Sequence, residues 1–131
     1  MREIKSLLDE KGLEYRDFGT DSEMSVDYPD FAKPVAVAIA EGECERGILT
    51  CSTGIGMSMA ANKVRGIRAA LCADCFSAEM TRRHNDANIL CLGGRTTGVG
   101  LALKITETFL ETRFEGGRHA QRVEKITKME R

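Results

Sequence analysis

Apolar residues recur at helical spacing over the first eleven positions, where Ile4, Leu7 and Leu8 share a face and Gly12 follows as a C-terminal stop. A helix over 1–11 is predicted. Residues 13–18 then read as a strand ending at Gly19-Thr20, and Asp21, Ser22, Ser25 and Asp27 mark a polar loop. Tyr28-Pro29 opens a second helix; Pro29 suits its first turn, whereas Pro34 is either still near the start or kinks the helix before the apolar run 35–40. After Gly42 the pattern changes to a short apolar run, 47–51, closing on a glycine-containing turn, followed by a small-residue helix over 56–64. The alternation repeats as a strand over 67–73, a helix over 77–85, a strand over 88–92, a helix over 99–110 with Leu101, Ile105, Thr108 and Phe109 inward, and a last helix over about 119–129.

Strands that are almost continuously apolar, alternating with helices, predict an α/β domain, a doubly wound parallel sheet covered on both faces. One feature is out of order: such a domain normally begins with a strand, and here the first element is a helix, so a first strand is expected to be missing. No internal repeat or low-complexity linker interrupts the pattern, and 131 residues suit a single domain spanning 1–131.

Composition narrows the function classes. The net charge of -1 gives no electrostatic reason for a nucleic acid or an anionic membrane as partner. No run approaches the ~20 apolar residues needed to cross a bilayer, and the first five residues lack the apolar core of a signal peptide, so a soluble, cytoplasmic protein is expected. Five cysteines, an odd number, favour free thiols in a reducing compartment. The lone Cys72-x-x-Cys75 has no second pair and only His84 and His119 to complete it, so no metal is expected.

The most informative stretch is Cys51-Ser52-Thr53-Gly54-Ile55-Gly56-Met57-Ser58, between a strand and a helix, where backbone N–H groups and a helix N-terminus converge on an anion. That setting favours a thiolate and makes Cys51 a candidate base or nucleophile, against the alternative of an inert buried cysteine. A nucleotide P-loop is disfavoured because Lys63 lies too far from the glycines. A dinucleotide site stays open: Gly54-Ile55-Gly56 opens a helix and Asp74 ends the next strand 20 positions after Gly54, although Met59 occupies the third glycine position. His84, between Arg82-Arg83 and Asn85-Asp86, falls where a helix ends, and by itself reads as a surface histidine. Residues 113–131 hold six Lys/Arg against three Asp/Glu, and Arg118 and Arg122 stand one helical turn apart, a pair able to clamp a phosphate or merely to solvate a helix end.

Taken together, Asp17-Phe18-Gly19, Ser25-Val26-Asp27-Tyr28-Pro29, Gly47-Ile48-Leu49 running into Cys51 to Ser58, Ala60-Ala61-Asn62-Lys63, Arg82 to Asn88 and Glu115-Gly116-Gly117-Arg118-His119 resemble ribose-5-phosphate isomerase B and its sugar-phosphate isomerase relatives over essentially the whole chain. The resemblance implies a Rossmann-like sheet, five-stranded in the family, and a homodimer or a dimer of dimers whose active site borrows residues from the partner, with the C-terminal helix packing on that partner. It implies conversion of ribose 5-phosphate to ribulose 5-phosphate without metal or organic cofactor. Cys51 then matches the base and Thr53 assists it, while the N–H groups of Gly54 to Ser58, Gly56 included, face the enediolate. His84 matches the ring-opening acid/base and Asn85 a hydroxyl contact. Arg118, His119 and Arg122 match phosphate positions, and Tyr28 lines the pocket. Galactose-6-phosphate and allose-6-phosphate isomerases share the scaffold. The family's first strand and its Asp-His turn have no counterpart in this chain, which leaves a non-catalytic sugar-phosphate-binding subunit as the alternative reading and predicts weakened stability and phosphate affinity.

Overall fold

A computed structural model describes residues 1–19 and 27–130 of the chain. Its elements in chain order are α1 (Arg2–Glu10), α2 (Pro29–Ala40), β1 (Gly47–Cys51), α3 (Ile55–Ala61), β2 (Ala69–Leu71), α4 (Cys75–Asn85), β3 (Ile89–Gly93), α5 (Val99–Glu111) and α6 (Arg118–Thr127). The strands form one parallel sheet in the order β1-β3-β2. β3 is buried along its whole length because helices cover both faces, and its side chains alternate between two cores as a strand requires. Leu90 and Leu92 pack with Ile4, Ala78, Ile105 and Phe109 beneath α1, α4 and α5. Ile89 and Cys91 pack with Ala32, Ala36, Leu49, Met57 and Ala61 beneath α2 and α3. The expected α/β class with both faces of the sheet covered is therefore present.

Side chains finish three of the helix ends. Asp74 caps α4 by accepting from the Ser77 N–H at 2.6 Å and the Ser77 hydroxyl at 2.9 Å. Arginines finish the opposite ends: Arg46 donates to the carbonyls of Phe109 and Leu110 at the end of α5, and Arg68 to those of Asn85 and Asp86 at the end of α4. Pro34 lies inside α2 on its exposed side, so the helix runs through it.

Three expectations need correction. Residues 13–18 are not a strand: they carry no regular secondary structure and pair with nothing in the sheet, and Asp17 meets Lys5 and Arg16 meets Glu43. The predicted strand over 67–73 is three residues long, and Asn62 occupies its outer edge, donating to the Ala69 carbonyl and accepting from the Ala69 N–H, which blunts that edge. On α5 the buried positions are Ile105, Thr106 and Phe109, while Leu101 is exposed and Thr108 only half-buried, so the inward stripe is turned by a fraction of a residue from the predicted one. The sheet has three strands among the described residues. β1 carries no strand on its outer side there, and a groove of about 1040 Å³ runs along that edge between α1 and α2, lined by Ile4, Leu8, Phe31, Val35, Ile39 and Leu110 among others.

Candidate active site

Cys51 ends β1 and its chain turns immediately into α3. Gly54, at φ 80°, makes that turn in the left-handed region. A Cβ at Gly54 would sit 2.6 Å from Leu71 Cδ1 and 2.9 Å from the Leu92 carbonyl carbon, so only glycine lets the backbone come this close to β3. The reward is an N–H donated to Cys51 Sγ at 3.1 Å. The turn is tied to the next strand by N–H donations from Gly94 to the Cys51 carbonyl and from Arg95 to the Ser52 carbonyl. Thr53 Oγ1 accepts from the Ile55 N–H, and the Ser58 hydroxyl bends back to the Ile55 carbonyl at 2.6 Å. Ser58 N–H is also committed, to the Gly54 carbonyl. Of the donors expected along Gly54 to Ser58, those of Gly56 and Met57 are the ones with no acceptor among the described residues. Tyr28 is half exposed against Gly56, where a Cβ would fall 2.5 Å from its ring, so the phenol flanks the Cys51 turn.

The open alternatives close here. Asp74 is used up as the cap of α4, which removes the acid a dinucleotide ribose would need. The cysteines also divide. Burial pushes the thiol of Cys72 up to about 11 and that of Cys91 up to about 12, which makes both inert packing residues. Cys51 is half-buried, at the end of its strand, with a backbone donor on its sulfur.

A second cluster forms where α4 ends and α6 begins. His84 and His119 stack, ring centroids 4.1 Å apart and planes inclined by 11°. Glu115 Oε2 lies 3.7 Å from His84 Nε2 and 3.5 Å from His119 Nε2. Glu115 is positioned by its own N–H, which donates to the Arg83 carbonyl, and the positive φ of Gly116 and Gly117 folds the chain back so that α6 returns His119 to it. His119 is buried, and this burial, reinforced by His84 and Arg118, holds its imidazole below the ordinary value. Arg118 and Arg122 are exposed on the first turns of α6, and neither meets a carboxylate within 4.0 Å among the described residues. Asn85 is exposed beside His84. Its neighbours in the Arg82 to Asn88 motif serve the fold: buried Arg82 bonds Asp86, Ala87 and Thr112, and Asn88 holds Arg68 and Gly66.

The structure thus brings together Cys51, Thr53, Gly54, Gly56 and Tyr28 at one end of the sheet and His84, Asn85, Arg118, His119 and Arg122 at the other. Cys51 pairs with Gly93 at the C-terminal end of β3, whereas Asn88, just after α4, leads into its N-terminal end. Five residues of strand at 3.3 Å per residue separate the two ends by roughly 13 Å. Glu115 was not among the residues read as functional from the sequence; its spacing of four from His119 was the available signal.

A protein-family profile described as Ribose/Galactose Isomerase matches residues 1–126. The chain belongs to this isomerase family. It is 57% identical over 129 residues to the putative sugar phosphate isomerase YwlF of Bacillus subtilis, with 98% of this chain and 87% of that protein covered. It is 50% identical over 128 residues to the ribose-5-phosphate isomerase B of Escherichia coli, covering 98% and 86%. A relative from Pectobacterium atrosepticum, 47% identical over 125 residues and covering 94% and 82%, is named D-erythrulose-4-phosphate isomerase. Among solved structures, the ribose-5-phosphate isomerase B of Clostridium thermocellum superposes with a TM-score of 0.96 at 56% identity, covering 98% of this isomerase and 86% of that chain. No helix among the described residues is long and apolar enough to cross a membrane.

Proposed function

We propose that this isomerase interconverts ribose 5-phosphate and ribulose 5-phosphate, and that its working unit is a homodimer in which the Cys51 end of one subunit faces the His84 end of the other. The observation that carries the reading is the separation just described: acid/base and phosphate-binding groups lie at one end of the sheet and the thiol at the other, and a two-fold related pair of subunits can join them. α6, with Arg118 and Arg122 exposed, packs on the partner and delivers its positive charge to the phosphate.

In this reading His84 moves a proton between the ring oxygen and the anomeric hydroxyl, opening the sugar to its aldehyde. Cys51, as thiolate, takes the proton from C2, and the electron pair moves into a C1–C2 double bond to leave an enediolate. The free N–H groups of Gly56 and Met57, with Thr53 beside them, stabilise its negative charge, at about 3 kcal/mol per donor. The Cys51 thiol returns its proton to C1, and the O2 proton passes to O1, which gives the ketose and restores the thiolate. No organic cofactor enters this sequence of proton transfers.

The test is a coupled assay for ketose formation from ribose 5-phosphate, with galactose 6-phosphate, allose 6-phosphate and a four-carbon phosphate in parallel. Turnover on ribose 5-phosphate is expected; selective turnover on another sugar would reassign the substrate, as the family description and the four-carbon relative allow. No turnover on any of them from folded protein would favour the sugar-phosphate-binding subunit. The composite site has its own test. Cys51→Ala and His84→Ala homodimers, each inactive, are mixed under conditions of subunit exchange. Activity returns, because each mixed dimer keeps one intact site; no recovery, with exchange verified, would refute a shared site.

A further inference from the structure

We propose that His84, Glu115 and His119 form a binding site for a divalent transition-metal ion of the zinc class, and that its occupancy switches the isomerase off. One ligand atom from each of His84, Glu115 and His119 lies within 4.8 Å of the other two, and Glu115 Oε2 is 3.7 and 3.5 Å from Nε2 of His84 and His119. A tetrahedral ion bound at about 2.0–2.2 Å to nitrogen and oxygen sets its ligands roughly 3.3 Å apart. Both carboxylate-to-imidazole edges are therefore within a few tenths of an ångström of that spacing, and because the stacked rings lie 11° from parallel, binding requires the His84 ring to swing out of the stack until both lone pairs meet at the ion.

The surroundings support the same conclusion. His119 is fixed by burial, and Glu115 is fixed by its N–H bond to the Arg83 carbonyl and by the Arg83 guanidinium 3.7 Å from its other oxygen, a second contact of the kind that orients metal ligands. Glu115 is exposed and His84 half-buried, so an ion can enter and a fourth position stays open to water or an anion. Two imidazoles and one carboxylate select zinc, cobalt or nickel over magnesium or calcium, which prefer all-oxygen sites. Arg83, Arg118 and Arg122 surround the cluster and oppose a cation, so the site is suited to reversible occupancy rather than to a permanent structural ion.

The inhibitory half of the proposal rests on His84 serving the isomerisation, because an ion on Nε2 takes the lone pair with which the imidazole would move a proton. The binding half does not. Chelator-stripped protein is titrated with zinc chloride by calorimetry and with cobalt chloride by visible absorption, in wild type, Glu115→Gln and Cys51→Ala. Wild type and Cys51→Ala are expected to take up one ion per chain and to give the intense visible bands of tetrahedral cobalt; Glu115→Gln is expected to lose both. Zinc should inhibit turnover of wild type, reversibly on adding chelator, and Glu115→Gln should tolerate at least about tenfold more zinc before the same loss. Absence of binding, binding unchanged in Glu115→Gln, or binding lost in Cys51→Ala would overturn the site. Binding as expected with turnover unaffected by zinc would overturn the switch. If no sugar phosphate is turned over at all, calorimetry and absorption still decide the site on their own.

Discussion

Replacing Gly54 by alanine tests how the Cys51 turn is built, because two separate costs can be told apart. Gly54 has φ 80°, and an L-residue held in the left-handed region costs about 1–2 kcal/mol. Its added Cβ would also stand 2.9 Å from the carbonyl carbon and 3.0 Å from the carbonyl oxygen of Leu92, backbone atoms of the central strand that cannot step aside. Leu71 Cδ1, at 2.6 Å, is a side-chain end and can rotate away. Forcing a methyl against packed structure typically costs about 1–3 kcal/mol, so the total is on the order of 2–5 kcal/mol. At this chain length each kcal/mol moves the melting midpoint by roughly 3–5 °C, giving a fall of about 6–25 °C. Gly42 is the control: it has φ 81° with nothing within 4 Å of its Cβ, so Gly42→Ala carries the left-handed cost alone. The assay is thermal unfolding by circular dichroism alongside ketose formation. Gly54→Ala should melt well below Gly42→Ala and lose most of its kcat, because a displaced turn carries its N–H away from Cys51 Sγ. Equal midpoints for the two variants, with kcat preserved in Gly54→Ala, would refute the account of the turn.

Alkylation should follow burial: with iodoacetamide near pH 8, mass spectrometry should find Cys51 modified while Cys72 and Cys91 stay protected in the folded protein, since thiols raised to about 11 and about 12 are almost wholly protonated there. Stability should decline as pH falls below the ordinary histidine value of 6.5, because the folded state holds His119 below that value and the unfolded chain binds the proton first; urea titrations should show a slope setting in below that value that flattens in His119→Gln, and an unchanged slope would remove His119 as its source. The groove beside β1 should bind the dye ANS in the native state with fluorescence that Ile4→Asp or Val35→Asp reduces, and a native protein that leaves the dye dark would show the groove to be closed in solution.

Where the structural cause is local, the sequence alone was sufficient. The strand 47–51, the glycine turn after Cys51, the start of α2 at Pro29 and the alternation that defines the α/β class all follow from residues within a few positions of each other, and each is present. Where the cause is a neighbour far along the chain, it was not. Residues 13–18 have strand composition but pair with no strand among the described residues, the outer edge of β2 is occupied by the amide of Asn62, and the inward stripe of α5 is set by what it packs against. Asp74 stands at the sequence spacing of a ribose-binding acid, and only the fold shows that Ser77 occupies it. The motif around His84 mixes candidate site residues with structural ones; only the packed helices show that Arg82, Asp86 and Asn88 hold the fold and leave Asn85 exposed and His84 half-buried. Tertiary structure also decided that His84, Glu115 and His119 meet, across thirty residues of chain and a two-glycine reversal, and that they do so at the far end of a parallel sheet from Cys51. Local chemistry is carried by adjacent residues and can be read from their order, whereas distance between elements is a property of the sheet that orders them.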